Sequence, residues 1–283
     1  MSLSSIPNQI LHDLLKENRP IVMGILNVTP DSFSDGNHFL SLDNALAHAH
    51  RMVEEGVDII DIGGESTRPG SHAVSEQEEL DRVIPVIEQL KKTTSVPLSI
   101  DTSKPSVMQA AITAGAFMIN DVHALQAPGA LAVAAQLAVP VCLMHKKGTS
   151  EHMQQAPQYD DVVVEVIDFL QQRIHCCEQA GIVRSNILID PGFGFGKTLT
   201  HNLTLLNNLA RFHDLGLPLL VGLSRKAMFG DLLKRPVSER LAASLSAMTV
   251  AVMKGAHIVR VHDVAASVDA VRVVSALKHT SRQ

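Results

Sequence analysis

The chain has 283 residues, of which 46% are hydrophobic and 19% charged, and its formal net charge is -5. These proportions allow a substantial core and exclude an intrinsically disordered chain. The acidic balance, the 3% aromatic content and the lack of tryptophan argue against a nucleic-acid partner, which would call for basic patches and base-stacking rings. We therefore expect a globular enzyme.

The sequence carries no signal for export or membrane insertion. The first 20 residues lack a basic segment followed by a long apolar one, and no apolar run reaches the ~18 residues of a membrane span. The three cysteines, Cys142, Cys176 and Cys177, are odd in number and lack metal-ligand spacing, which indicates a cytoplasmic protein. The histidines are scattered without an H-E-x-x-H pattern, so no zinc site is expected.

The chain opens with an extension, residues 1–19, before a single domain over residues 20–283. The stretch "NQILHDLLKEN" in the extension is compatible with two arrangements. It can form a short amphipathic helix that closes the bottom of the fold, or it can remain a loosely attached arm.

Eight short aliphatic runs then alternate with helix-like stretches. Continuous runs of this kind are typical of strands buried on both faces of a parallel sheet. The predicted strands are residues 21–28, 57–62, 96–101, 116–121, 139–145, 187–192, 217–224 and 256–262. The predicted helices are residues 41–56, 75–92, 105–115, 128–138, 159–181, 202–216, 238–256 and 267–279. Eight strand–helix units predict an α/β (β/α)₈ TIM barrel with its active site at the carboxyl ends of the strands, and a doubly wound open sheet is the alternative.

One predicted helix lacks the polar face that an outer barrel helix should present to water. From Leu241 to Met253 no residue is charged, and only Ser244, Ser246 and Thr249 are polar. The stretch is either a well-covered surface helix or, as we favour, part of a homodimer interface formed with the helix that follows.

Polar residues stand at the carboxyl end of every predicted strand. Any one of them alone is more simply a helix cap or a salt-bridge partner. The predicted barrel brings all eight carboxyl ends together around one opening, which we call the mouth. Eight polar ends around the mouth indicate a site, because burying unpaired charge is costly. The residues are Asn27, Asp61, Asp101, Asn120, His145, Asp190, Ser224 with Lys226, and Arg260 with His262.

The stretch "ILIDPGFGFGKT" after the sixth run suggests a nucleotide-binding loop, but the pattern fails. G-x-x-x-x-G-K-T requires a glycine where Pro191 stands, and Gly192, Gly194 and Gly196 are spaced wrongly for a dinucleotide fingerprint. We expect Lys197 to face solvent or lead a helix rather than to bind phosphate.

The residue types at the mouth divide into two sets. Asp101, Asn120 and Asp190 suit a flat heterocycle that displays several N–H donors and a carbonyl. Arg260, His262 and Asn27 suit an anion. The Asn27 amide oxygen can also hold a hydrated Mg²⁺ on phosphate oxygens, and free backbone N–H groups at residues 224–226 can receive a carboxylate or phosphate.

Two long loops rich in Gly, Pro, Ser and Asp follow the first two strands and are predicted to cover the mouth as lids. They carry Phe33 and Asp35 in the first loop, and Thr67, Arg68 and Pro69 in the second. Asp31 is expected only to cap a turn.

Eight stretches in chain order resemble the dihydropteroate synthase family over residues 20 to 275. They are "MGILNVTPDSFSDG", "DIGGESTRPG", "SIDTSKP", "IND", "LMH", "DPGFGFGK", "SRK" and "RVHDV". Asn37 and Lys146 depart from the family pattern without touching a matched site residue. The resemblance implies a pterin-binding barrel that condenses 6-hydroxymethyl-7,8-dihydropterin diphosphate with 4-aminobenzoate to give 7,8-dihydropteroate and diphosphate.

The resemblance also implies roles for individual residues. It implies catalytic roles for Asp35, Asp101, Lys226 and Arg260. Pterin contacts are implied for Asp101, Asn120, Met144, Asp190 and Lys226, and diphosphate contacts for Asn27 with Mg²⁺, Asp61, Arg260 and His262. Aminobenzoate contacts are implied for Thr67, Arg68, Pro69, Phe195 and Ser224, with Phe33 and Asp35 on the closing loop.

Two other functions remain to be weighed. A pterin-dependent methyltransferase module shares the barrel and the pterin acids, but "NVTPDSFSD" and "SRK" argue against it. A non-catalytic pterin-binding homologue should have lost site residues, and no matched position is lost.

Overall fold

The computed structural model describes residues 5–17, 19–29, 38–66, 74–148, 153 and 157–280. Eight parallel strands lie within this part of the chain, and most are only four residues long. They are β1 Ile21–Asn27, β2 Ile59–Gly63, β3 Leu98–Asp101, β4 Met118–Asp121, β5 Val141–Met144, β6 Ile187–Asp190, β7 Leu220–Val221 and β8 Ile258–Val261.

The strands form one sheet in the order β6-β5-β4-β3-β2-β1-β8-β7. A parallel bridge between Ile189 and Leu219 joins β6 to the residue before β7, and the Ile189 amide donates to the Pro218 carbonyl at 3.0 Å. The sheet therefore closes on itself, which confirms the predicted barrel and excludes the doubly wound alternative.

Helix α1 precedes β1, and the other helices follow the strands around the outside. They are α1 Ser5–Lys16, α2 His38–Glu54, α3 Glu76–Thr93, α4 Pro105–Ala114, α5 Ala130–Leu137, α6 Val162–Gln179, α7 Leu199–Asn207, α8 Ala227–Leu233, α9 Leu241–Met253 and α10 Val264–Thr280. Helix α3 begins with a capping box between Ser75 and Glu78, helix α4 has Pro105 in its first turn, and Asp161 caps α6, as their sequences favour.

Most helix ends differ from the predicted bounds by a few residues, and two of the differences have local reasons. The stretch predicted as one helix over 202–216 changes at Asn208 into a 3-10 turn, Leu209–Leu215, because the Asn208 side chain donates to the Thr204 carbonyl at 2.9 Å and closes the helix. After β7, the short α8 and a 3-10 turn, Val237–Glu239, precede α9, so that α9 starts at Leu241 rather than at 238.

Helix α1 of the extension packs beneath the barrel. Leu11 of α1 is buried against a cluster of apolar side chains inside the amino end of the barrel, with Ile10, Leu14 and Leu15 at its edge. Helix α1 is thus attached to the bottom of the fold, and the loose-arm alternative is wrong for this segment. No helix within the described residues is long and apolar enough to cross a bilayer.

Candidate active site at the carboxyl ends of the strands

The centre of the mouth is an ion cluster around Arg260 of β8. Its Nε donates to Asp61 Oδ2 of β2 at 2.6 Å, and its Nη2 donates to Asp101 Oδ2 of β3 at 2.7 Å. Asn120 Nδ2 of β4 donates to the same Asp61 oxygen at 2.9 Å. Four strands therefore place their polar residues in one bonded set.

Burial sets the charge state of this cluster. It raises the pKa of Asp101 to about 7, although Arg260 acts in the opposite direction. Burial also lowers the pKa of Arg260, but Asp61 and Asp101 outweigh it and leave that pKa above its ordinary value. The guanidinium thus stays charged, while Asp101 can exchange a proton near neutral pH.

Asp61 lies deeper than a residue that contacts the diphosphate, its predicted role, needs to lie. Its side chain is fully buried, and its second oxygen, Oδ1, has no hydrogen-bond partner among the described residues. In this structure Asp61 holds Arg260 and Asn120 from below.

Asp190 at the end of β6 and Lys226 at the start of α8 form a second pair of charges. Asp190 Oδ1 accepts from the Gly192 amide at 2.7 Å, and the Lys226 ammonium lies 4.3 Å from the centre of the Phe195 ring. Burial raises the pKa of Asp190 and lowers that of Lys226 to about 8. Phe195 and Met144 belong to a small apolar cluster with Val122 and Met153 beside these charges.

Ser224 and His262 are joined directly. The His262 amide donates to Ser224 Oγ at 3.1 Å, and His262 Nδ1 lies 3.0 Å from the same oxygen. The expectation of free backbone N–H groups at 224–226 is wrong for Arg225, because its amide donates to Ser244 Oγ at 2.8 Å. The Arg225 amide is therefore not available to an anion at this corner.

Lys197 directly precedes Thr198, the N-cap of α7, as one alternative of the prediction has it, but the other alternative is wrong, because the lysine does not face solvent. Its side chain is 2% exposed, and its Nζ lies 2.8 Å from His145 Nδ1. The predicted mouth residue His145 is thus engaged behind the loop rather than in the mouth. The signal available in the sequence was a lysine inside a glycine-rich turn, a position where the backbone offers several carbonyl acceptors.

A further buried acid was missed by sequence reasoning. Glu79 of α3 is almost fully buried and accepts from Lys104 Nζ at 2.5 Å, and Lys104 also bonds Glu65 in the loop after β2. Glu79 precedes Val83 and Val86 on the buried face of α3, and an acid on an apolar stripe could have indicated this site.

Asn27 lies at the end of β1, next to Gly63 of β2. A side chain at Gly63 would reach the Asp101 carboxylate and the Asn27 amide oxygen, with 3.7 Å and 3.9 Å from the first side-chain carbon to those oxygens. Because Gly63 has no side chain, one oxygen of Asn27 and one of Asp101 border the space that such a side chain would fill. The predicted residues Asp31, Phe33, Asp35, Thr67, Arg68 and Pro69 lie outside the described residues.

A closed (β/α)₈ barrel with acids, an amide and cations gathered at its carboxyl end is typical of an enzyme, and these groups suit a polar heterocyclic substrate. The family model described as "Pterin binding enzyme" matches residues 23–262. Dihydropteroate synthase from Escherichia coli strain K12 is 55% identical over 259 residues, which cover 92% of this chain and 92% of that protein.

Solved structures point to the same family as the family model and the sequence relatives. Dihydropteroate synthase from Xanthomonas albilineans with 4-aminobenzoic acid superposes with a TM-score of 0.88 at 55% identity, covering 92% of this chain and 94% of that one. The same enzyme in complex with 7,8-dihydropteroate gives 0.85 at 53% identity, with coverage of 92% and 94%. The chain belongs to the dihydropteroate synthase family, a family of transferases in folate synthesis. The predicted family is confirmed, and these relatives favour it over the methyltransferase and non-catalytic alternatives.

Proposed function

We propose that this mouth condenses 6-hydroxymethyl-7,8-dihydropterin diphosphate with 4-aminobenzoate, giving 7,8-dihydropteroate and diphosphate. The observation that carries the proposal is the convergence of the buried residues Asp101, Asn120 and Asp190 with the partly exposed cations Lys226 and Arg260 at one end of the barrel. The 4-aminobenzoic acid and 7,8-dihydropteroate bound in the solved relatives are chemically one substrate and the product of this reaction.

The pterin ring is assigned to the acid side of the mouth. Asp101 and Asp190 carry carboxylate oxygens that accept from the ring N–H groups, and Asn120 can both donate and accept. Lys226 donates to a ring acceptor, and Met144 packs against the flat face within its apolar cluster. A buried carboxylate binds such donors strongly, because little water competes for it.

The diphosphate is assigned to Arg260, His262 and Asn27. Two nitrogens of Arg260 are held by Asp61 and Asp101, so the guanidinium plane is fixed before substrate arrives. No bond to Nη1 is found within the described residues, and this nitrogen can donate to a phosphate oxygen. Asp61 is assigned to orienting Arg260 rather than to touching the anion.

We also propose that Mg²⁺ joins the diphosphate at Asn27. The Asn27 amide oxygen lies beside the space that a side chain at Gly63 would fill, and such an oxygen suits a cation that prefers oxygen ligands and takes few from the protein. Bound there, Mg²⁺ would neutralise phosphate charge and improve the leaving group.

The chain's own groups favour cleavage before bond formation. The C–O bond between the pterin methylene and the diphosphate breaks, and its electron pair leaves with the diphosphate toward Arg260 and His262. Asp101 and Asp190 stabilise the positive charge that spreads over the ring. The aryl amine then forms the C–N bond and releases a proton to solvent. That amine is nucleophilic when neutral, so it needs positioning more than a strong base.

The aminobenzoate is assigned to Ser224 and the Phe195 ring. Both lie next to the pterin lysine, Phe195 by its contact with Lys226 and Ser224 two residues before it. Family resemblance still assigns five loop residues to this side of the site: Thr67, Arg68, Pro69, Phe33 and Asp35.

A direct assay tests the proposal. Purified protein is mixed with dihydropterin diphosphate, Mg²⁺ and 4-aminobenzoate, and diphosphate release is followed. Release that requires both aminobenzoate and Mg²⁺ is expected. A folded sample without release would contradict the reaction, and full release in excess chelator would contradict the metal.

We further propose that two copies pair through α9 and α10. Met253 is 56% exposed and Val273 62% exposed, and Leu241, Val250 and Leu277 are further exposed apolar side chains on these two helices. Light scattering should give twice the chain mass for the wild type and a smaller mass for Val273→Lys. The same mass for both proteins would contradict the interface.

We place the enzyme in the cytoplasm. All three cysteines are free thiols, which fits a reducing compartment. Cell fractionation should recover the protein with cytoplasmic markers, and recovery in a periplasmic or membrane fraction would contradict this placement.

A further inference from the structure

A lysine is rarely buried without partners, and Lys197 has several. Its Nζ lies 2.9 Å from the Gly192 carbonyl and 3.1 Å from the Phe195 carbonyl. On the other side it lies 2.8 Å from His145 Nδ1 and 3.4 Å from the His145 carbonyl. The ammonium thus ties the loop after β6 to the chain leaving β5.

The loop that Lys197 closes is docked tightly against that chain. Gly192 and Gly196 have φ angles of +69° and +65°, and side chains there would collide with the carbonyls of His145 and Lys147. Residues 192–197 therefore pack closely against two backbone carbonyls, and the N–H groups of the Lys197 ammonium donate hydrogen bonds inside this loop.

The other face of this loop carries site groups. The Gly192 amide donates to Asp190 Oδ1, and the Phe195 ring contacts the Lys226 ammonium. Phe195 consequently stands between two lysines, with its carbonyl on Lys197 and its ring on Lys226. Movement of the Lys197 anchor would be transmitted to the ring.

We infer that Lys197 is a positioning residue for the condensation, which holds the loop after β6 from behind so that Phe195 is placed to bind the aminobenzoate. The inference rests on the proposed function of the mouth. Asp190 belongs to a strand fixed by its ladder, whereas Phe195 lies five residues further along and depends on the loop. Lys197 should therefore matter more for aminobenzoate than for pterin.

The charges around Lys197 agree with this arrangement. Burial lowers the pKa of His145 to about 2, so the neutral ring can accept a hydrogen bond at Nδ1. Burial also lowers the pKa of Lys197 to about 7, while Asp190 acts in the opposite direction. Asp190 supplies a negative charge that partly offsets the unfavourable desolvation of this lysine.

The test compares Lys197→Met, which has similar length and no donors, with Lys197→Gln, which keeps two N–H donors. We expect Met to raise the KM for 4-aminobenzoate about tenfold and to leave the Kd for dihydropterin diphosphate within about threefold. Gln should fall between Met and the wild type. Equal changes for both substrates would overturn the inference.

The matched control is Lys254→Met, which also removes a lysine–carbonyl bond, from Lys254 Nζ to Asn207 at 2.8 Å, but next to the amino end of β8. It should leave both constants unchanged. An aminobenzoate KM that rises as much in this control as in Lys197→Met would mean that the effect is not specific to the loop, and would overturn the inference.

A double-mutant cycle decides whether Lys197 acts through Phe195. In a Phe195→Ala background, Lys197→Met should have little further effect on the aminobenzoate KM, because the ring it positions is gone. Independent, multiplying effects would overturn the inference. So would failure of both Lys197 variants to fold, since the lysine would then serve stability alone.

The wild-type assay keeps the two proposals apart. If the wild type releases no diphosphate, the proposed function fails before Lys197 is considered. If the wild type is active and the Lys197 variants have its kinetic constants, only the positioning role fails.

Discussion

The two ends of the barrel interior are built from the same strands and differ in chemistry. Ile258, Leu188 and Met118 belong to the buried apolar cluster at the floor. Two residues further along the same strands are Arg260, Asp190 and Asn120. Because strand side chains alternate, residues two apart face the same side of the sheet.

The difference shows how one scaffold separates stability from function. The floor residues gain free energy by leaving water, and Leu11 of α1 adds to their packing. The mouth residues are buried ions, whose desolvation is unfavourable and is offset only by mutual pairing. Substitutions at the floor should change unfolding, and those at the mouth should mainly change catalysis.

Arg260→Met should give the largest effect and should break this separation. It leaves Asp61 and Asp101 buried without their cation, so we expect a loss of about 3 kcal/mol in the free energy of unfolding, with activity lost. Urea unfolding and the diphosphate assay measure the two effects. Arg225→Met is the matched control, because Arg225 is 41% exposed and pairs with Asp263 at the surface. A loss of stability as large in the control would contradict the cluster's importance.

Asp190→Asn should follow, with an effect confined to function. The amide keeps the size of the side chain but loses the charge that binds pterin, and kcat/KM should fall about a thousandfold. The melting temperature should stay close to that of the wild type. Wild-type kinetics in this variant would remove Asp190 from the site.

Leu11→Ala should show the opposite pattern. Truncation of this buried side chain should cost about 2–4 kcal/mol in the free energy of unfolding, and both KM values should stay unchanged. Leu233→Ala, at an exposed position, is the control and should be nearly neutral. Unchanged stability in Leu11→Ala would mean that α1 does not contribute to the floor.

The last prediction is a pH dependence at the mouth. The pKa of Asp101 is about 7 in the folded protein, against an ordinary 3.8, so between these values the folded state binds the extra proton. Its contribution to stability is complete below about pH 4 and is lost as the pH rises through 7. Wild-type stability should therefore fall over this range relative to Asp101→Asn. A difference that stays constant with pH would contradict the raised pKa.

Much of the fold and part of the site follow from local sequence patterns. Eight aliphatic runs separated by capped helical stretches predicted the barrel, since each run is buried on both faces. The residues that end those runs, such as Asp101 and Asp190, were predicted to share a mouth because parallel strands bring their carboxyl ends together.

The contacts between those residues could not be predicted in the same way. The pairing of Arg260 with Asp61 joins residues 199 positions apart. The sequence around Lys197 does not indicate whether its side chain faces water or the interior. Its burial depends on the carbonyls of Gly192 and Phe195 and on the ring that β5 delivers at His145.

The sequence by itself determined the eight strands and the main helices between them, the polar residue at each strand end and the family. Those properties depend on short-range periodicity and on residue identity. Only the tertiary structure decided that Asp61 lies beneath Arg260, that α1 closes the floor and that Lys197 lies behind the active-site loop. Burial and charge pairing depend on what other segments bring within a few ångströms, and local sequence contains no record of that.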